Sequence, residues 1–325
     1  MKKAAIVLAL LCALALLCVS CTKKAAEAPG PATRSDAGMA DLEAAPAASA
    51  SEGTLYVIRP EASFWSLKDG KLTWLESLSL GMELEKTGKA EKGTYKDETY
   101  DVVPVKLDTG KEGYVMVQHA VPAMSLGVVT SDLATLYKQP KDTAITSAIL
   151  PRMNIVAVNP AEGSSEYYEI TCYNAKTLER VEKRYLQAAD VSLSVDDLNA
   201  ALLLMAMRGL PKKEQRQKLL STITTKYSAT TFTTEVQQLG IALNPESMSL
   251  EPVGASYKSL GTAIVRDIPS IFGAEVKRLK QGEAADVAER TAESFSVDGE
   301  TAPWLRITSP AQGWVFGAAM EAKAE

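Results

Sequence analysis

Three stretches of this chain alternate apolar and polar positions with period two. They are YDVVPVKL (100–107), YYEITCYN (167–174) and WLRITS (304–309). Each predicts a strand with one buried face, with Val103 and Val105, Tyr168 and Ile170, and Leu305 and Ile307 as the inward pairs. A turn follows each one: DTGKE, the longer NAKTLERVEK, and PAQ. A second apolar stretch comes next, with Gly113-Tyr114-Val115, Arg184-Tyr185-Leu186 and Gly313-Trp314-Val315 in corresponding places. Strand, turn, strand predicts a hairpin. In the last of them Val315 alternates inward while Trp314 and Phe316 point outward. Gly313 stands where a Cβ would obstruct the chain.

The hairpins have a matching front end. EASFW, LATLY and IPSIF end at Trp65, Tyr137 and Phe272, which precede the second motif by 49, 48 and 42 residues. Between them lie LSLGMELEKTG, AILPRMNIVAVNP and LKQGEAADVAERT, each a turn and a strand. Similar spacing matched at both ends is an internal repeat of about 60 to 65 residues. Between the second and third copies the period changes. Ser194 caps SVDDLNAALLLMAMRGL, with Asp197 in the first turn and Gly209 as the stop. Leu198, Ala201, Leu202 and Met205 share one face of that helix, and Leu203, Leu204 and Met207 another, so it is predicted to be buried. Pro211 opens a second helix with a stripe of Leu219, Leu220, Ile223 and Tyr227. Residues 228–240 predict a third, with Phe232, Val236 and Leu239, ended by Asn244-Pro245.

The small-x-aliphatic-aromatic start (ASFW, ATLY, PSIF), the Trp304/Ile307 strand and the Gly313-Trp314-Val315 closing strand resemble bacterial SH3-like domains. The likeness covers about 200 of the 325 residues. The third copy matches best. The second departs, with Arg184 for the glycine and a long last hairpin. The expected fold is mainly β: three small SH3-like β-barrels over 53–122, 126–192 and 249–321, with a helical subdomain over 193–245. Such domains commonly target peptidoglycan or peptides. The resemblance therefore implies a ligand surface made of Trp65, Tyr137, Phe272, Trp304 and Trp314, since flat rings with a polar rim suit extended peptides or glycans.

The N-terminus adds a location. Lys2 and Lys3 precede the apolar AAIVLALLCALALL (4–17), which suits a signal h-region and is short for a membrane span. CVSC follows and resembles the lipobox of bacterial lipoproteins, with Cys21 as the acylated residue, although Cys18 stands where an aliphatic is usual. An ordinary signal-peptidase cut with Cys18 and Ser20 as its small pair is the alternative. Residues 22–52 are Ala-, Pro- and Ser-rich and predict a flexible tether, with a reach of roughly 30 Å. The expectation is a membrane-anchored protein of the cell envelope, on the periplasmic or surface side. Cys172, alternating inward, reads as a small buried hydrophobe.

Composition narrows the chemistry. Apolar content of 46% and charged content of 23% are ordinary for globular protein. A net charge of −5 argues against a nucleic-acid partner. One histidine, His119, leaves little for zinc, Cys-His or Ser-His-Asp chemistry, and no phosphate or dinucleotide loop is present. No cofactor is expected. The carboxylates of YKDETYD (Asp97, Glu98, Asp101) and SVDD (Asp196, Asp197) read as a solvated hairpin tip and a helix N-terminus. Three functions follow: a non-catalytic binder of peptidoglycan, peptide or an envelope protein; an assembly scaffold of the envelope with its rings buried between domains; and a cell-wall hydrolase using carboxylates.

Overall fold

The computed structural model describes residues 53–122, 125–159 and 165–323. The signal stretch, Cys21 and the tether fall outside them. The fold is mainly β, with three SH3-like sheets and a helical segment between the second and third.

The first sheet holds β1 (Thr54–Val57), β2 (Ala62–Lys68), β3 (Lys71–Leu78), β4 (Glu83–Lys86), β5 (Glu91–Tyr95), β6 (Glu98–Lys106), β7 (Glu112–Met116) and β8 (Ala120–Pro122). Their order is β5-β3-β2-β7-β6-β4-β1-β8, and β5 also pairs with β6. The second holds β9 (Ser125–Val129), β10 (Leu133–Tyr137), β11 (Ile145–Pro151), β12 (Ile155–Asn159), β13 (Tyr167–Tyr173), β14 (Arg180–Gln187) and β15 (Val191–Ser192), in the order β11-β10-β14-β13-β12-β9-β15. The third begins with β16 (Leu250–Ser259), β17 (Ala263–Arg266), β18 (Glu275–Leu279) and β19 (Ala284–Thr291). A separate hairpin, β20 (Phe295–Val297) and β21 (Glu300–Ala302), intervenes before β22 (Trp304–Ser309), β23 (Gly313–Phe316) and β24 (Met320–Ala322). This sheet runs β18-β17-β23-β22-β19-β16-β24. With β5 and the β20–β21 hairpin set aside, all three sheets share one order: third, second, sixth, fifth, fourth, first, seventh strand. Each sixth strand is followed by one short 3-10 turn, Val117–His119, Ala188–Asp190 or Gly317–Ala319, and then the seventh strand.

Register corrects one expected correspondence. Trp65 pairs with Tyr114 and Tyr137 with Tyr185, but the residue opposite Trp314 is Arg266. The spacings are then 49, 48 and 48 residues. The front end of the third copy is AIVR, not IPSIF. Ala62, Ala134 and Ala263 are buried, as are Phe64, Leu136 and Val265 two residues on. Phe272 lies beyond β17, in the turn before β18.

The glycines of the closing hairpins have a visible cause. A Cβ on Gly313 would stand 2.6 Å from the Arg266 carbonyl oxygen, and one on Gly113 would stand 2.7 Å from that of Trp65. In the second sheet the same position is Arg184, opposite Ile170. There a bulge between Ile170 and Cys172, with Lys183 at φ 50°, re-aims the strand, which is what a bulge does.

Each sheet wraps its own small core. Phe64, Val103 and Val105 lie in the first, Ile170 and Cys172 in the second, and Leu305, Ile307 and Val315 in the third. The largest apolar cluster of the described residues is elsewhere. It joins Tyr56, Ile58 and Val121 of the first sheet, Val128, Ile155 and Tyr173 of the second, and Phe272 from the third to the helices α1 (Val195–Ala206), α2 (Lys213–Lys226) and α3 (Thr233–Ala242). Leu198, Leu203, Leu204 and Met207 of the first helical stretch are buried there, with Leu219, Ile223, Phe232 and Leu239. Each such side chain contributes roughly 1.5–3 kcal/mol. The Leu/Met helix therefore faces intramolecular partners. Leu202 reaches the first sheet, where a Cβ on Gly81 would lie 2.8 Å from its Cδ1.

Candidate functional site

The five aromatics that the sequence marks as a ligand surface are all buried. Trp65 is 4% exposed, Tyr137 7%, Phe272 2%, Trp304 2% and Trp314 7%. The four on strands lie outside the barrel cores, as alternation requires, and Phe272 lies in a turn, but other parts of the chain cover all five, so the expected open surface of those rings is not there. Over the first sheet the covering element is the β5–β6 hairpin. Trp65 packs with Leu72, Val102 and Met116 beneath Tyr95, whose ring centroid is 4.8 Å away. Gly93 comes so close to Leu72 that a Cβ would meet its Cγ at 2.7 Å. The Trp65 Nε1 has no hydrogen-bond partner among the described residues. Over the third sheet the cover is β20–β21: Phe295 packs on Trp304 and Trp314, with Phe316 5.5 Å from Trp304. Phe272 is covered by the helices and belongs to the shared core.

Both covers are inserted between the fourth and fifth strands of their repeat. In the second sheet no inserted hairpin is found at that connection among the described residues. Its outer face is held by polar contacts instead. Tyr137 meets Tyr167 edge to face at 5.3 Å. The Tyr167 hydroxyl donates to Asp142, to which Gln187 Nε2 also donates at 3.1 Å. Tyr185, half-buried, lies across from Tyr137 with its hydroxyl 3.4 Å from Glu169 Oε2. These tyrosines and the Asp142/Gln187 pair form an aromatic cluster on which no inserted hairpin lies among the described residues. Only Tyr137 of this set is marked by the sequence as a ligand residue. Tyr167 and Tyr185 sit at the outward positions of their strands, and that alternation is the signal that could have added them. Trp74, 40% exposed opposite Trp65, is the tryptophan most open to solvent.

The residues considered for catalysis are engaged structurally. The Cys172 thiol is fully buried in the second core, and burial pushes its pKa up to about 12 against a hydrogen bond to Asn154. An attacking cysteine needs the thiolate, so this thiol is not an activated nucleophile. His119 is buried between the first and second sheets. Arg59 Nη1 lies 3.1 Å from its Nε2, and a guanidinium only donates, so Nε2 is the acceptor and the proton sits on Nδ1. Nδ1 has no partner among the described residues. Burial, then the charges of Arg59 and Arg180, lower its pKa to about 3. Tyr173 closes the joint by meeting His119 edge to face at 6.0 Å and donating to the Gln118 carbonyl at 3.2 Å.

Asp197 accepts from Ser192, Thr230, and both the hydroxyl and backbone N–H of Thr231. Burial raises its pKa, but these donors outweigh burial and leave it below the usual carboxylate value. A general acid needs the opposite shift. Asp97, Glu98 and Asp101 are exposed on the β5–β6 hairpin, with Asp101 paired to Lys92 at 2.6 Å. Among the described residues no three His, Cys, Asp or Glu are grouped to hold a metal ion. No helix there is long and apolar enough to cross a membrane.

No family model matches the chain and no curated protein matches it. Solved structures similar to it include a proposed autolysin from Listeria monocytogenes (11% identity, TM-score 0.16, covering 83% of this chain and 96% of that one). NlpC2 from Trichomonas vaginalis is another (10% identity, TM-score 0.18, 83% and 98%). A third is an NlpC/P60 endopeptidase from Photobacterium damselae subsp. piscicida (11% identity, TM-score 0.19, 83% and 66%). At such TM-scores these likenesses carry no inference about this chain.

Proposed function

We propose that this chain is a non-catalytic bacterial envelope lipoprotein, anchored through acylated Cys21, whose three SH3-like units act as one assembly scaffold for an envelope protein partner. The observation that carries the reading is the position of the largest apolar core. It lies between the units and not inside any one of them. A chain built to present three independent binding modules has no need of such a core, whereas a scaffold does, because partners docked on different units must keep a fixed separation. Buried rings in place of open grooves support the same choice. The signal stretch, the CVSC lipobox and the 22–52 tether support the anchor.

A second reading is favoured by the tyrosine cluster of the middle unit, in which Tyr185 is half-buried beside buried Tyr137 and Tyr167: recognition of a peptidoglycan stem peptide, or another extended peptide, at its edge. Two experiments separate them. Photocrosslinking in intact cells from positions on all three sheets is expected to trap one protein partner. Purified peptidoglycan sacculi are expected not to retain the chain. Retention on sacculi, abolished by Tyr185→Ala in a folded protein, would replace the scaffold with the second reading. For the anchor, Cys21→Ala is expected to abolish incorporation of labelled palmitate and release the protein from membranes. Unchanged labelling would remove Cys21 from the account.

A further inference from the structure

At the junction of α1 with the third sheet, five cationic side chains meet three carboxylates. Each carboxylate has its own cation: Asp267 with Arg216 at 2.6 Å, Glu275 with Arg278 at 2.7 Å, and Asp298 with Lys176 at 3.0 Å. Arg208 and Arg266 are left without an ion pair among the described residues. Both lie against one turn. The Arg208 guanidinium sits 5.7 Å over the Phe272 ring, and Arg266 Nη1 donates to the Gly273 carbonyl at 2.7 Å.

That turn is rigid. Asp267 Oδ1 accepts from the Ala274 N–H at 2.7 Å, and the Phe272 N–H bonds Ser270 Oγ at 3.2 Å. Gly273 is so close to Asp267 and Ile268 that a Cβ would stand 2.9 Å from either. Arg208 is solvent-exposed as a residue, while burial of its guanidinium lowers its pKa and the charge of Asp298 raises it, and it donates no hydrogen bond among the described residues. Arg266 is half-buried and uses one of its five N–H groups on Gly273.

We propose that Arg208 and Arg266 form an oxyanion site that takes a carboxylate or phosphate group beside the Phe272–Gly273 turn. Two neighbouring guanidiniums that make no direct ion pair among the described residues, both against one fixed turn, each carry the planar donor fork that matches such a group, although Glu275 and Asp267 act on Arg266 and Asp298 on Arg208 from farther off. Burial, and next the charge of Arg208, lower the Arg266 pKa to about 10, with Glu275 and Asp267 acting in the opposite direction. The site is independent of the scaffold reading and would survive its failure.

The test is a thermal-shift and calorimetric titration of the purified chain with inorganic phosphate and, separately, acetate, each against chloride at equal ionic strength. Stabilisation by phosphate or acetate beyond chloride is expected, and whichever anion acts identifies the source. Arg208→Gln and Arg266→Gln should each weaken binding by about tenfold or more, the loss of a charge-assisted contact. Arg290→Gln, at an arginine already paired with Glu251 at 2.7 Å, should leave it unchanged. Should either glutamine variant fail to fold, Arg208→Lys and Arg266→Lys keep the charge and remove the fork, and are expected to bind more weakly than the parent. A parent that responds to neither anion, or folded variants that respond as the parent does, would overturn the proposal.

Discussion

His119 is the single histidine of the chain, so it alone among the side chains has an ordinary pKa between pH 5 and 8. Its folded pKa of about 3 lies below the ordinary 6.5. Between those values the unfolded chain binds a proton that the folded chain refuses. Stability is therefore complete above pH 6.5 and falls as pH drops towards 3. From pH 7.5 to pH 5 the loss is about 2 kcal/mol, or roughly 5 °C in melting temperature. His119→Gln, which keeps an acceptor for Arg59, should flatten that dependence. An equal acid loss in the variant would place its cause elsewhere. Cys172 gives a second residue-level check. With its thiol buried and pushed up to about 12, it should resist iodoacetamide at pH 8 in the native protein and react on denaturation, as peptide mass spectrometry would read. Rapid native labelling would contradict its burial.

At the scale of elements, the closing hairpin was the legible part. Its strand WLRITS occupies residues 304–309 as read from the alternation, and its inward pair Leu305/Ile307 lies in the third core. Gly313 was legible as a close-approach glycine. Gly313→Ala should cost about 2 kcal/mol by overpacking against the Arg266 carbonyl, measured by urea denaturation, while Arg184→Gly at the bulged equivalent should not gain stability from a lost clash. The front end of the third copy was misread for a physical reason. Arg266 holds the place that an aromatic takes in the other two copies, and the next aromatic after a small and an aliphatic residue is Phe272. What is constant there is the small and the apolar core residue, Ala263 and Val265, because the core constrains those sites and the outer face does not. The helices were read close to their positions, though α2 starts at Lys213 and α3 at Thr233, after Pro211 and Ser228. The covers over the aromatics were not legible. Period two gives which side of a strand a ring occupies, but not whether another hairpin lies on that side.

At the scale of the whole molecule, the three sheets are joined by one apolar core and by buried polar staples. Tyr173 of the second sheet holds the first joint against Gln118, His119 and Arg59, Asp197 fixes α1 to the second sheet and the turn before α3, and Arg216 with Asp267 ties the helices to the third sheet. Arg216 is 1% exposed, so Asp267→Ala leaves a buried guanidinium with only the Leu210 carbonyl and should cost about 3–5 kcal/mol by denaturant titration. A cost near zero would mean that the joint is not stapled there. Leu204 sits fully buried where α1 meets the shared core. Leu204→Ala should lose about 2–5 kcal/mol. The most direct measurement is hydrogen exchange by mass spectrometry on that variant and its parent. If the helical core makes one body of three units, protection should fall together in peptides from all three sheets. Loss confined to residues 195–242, with the sheets unchanged, would show three independent modules on a string and contradict the scaffold.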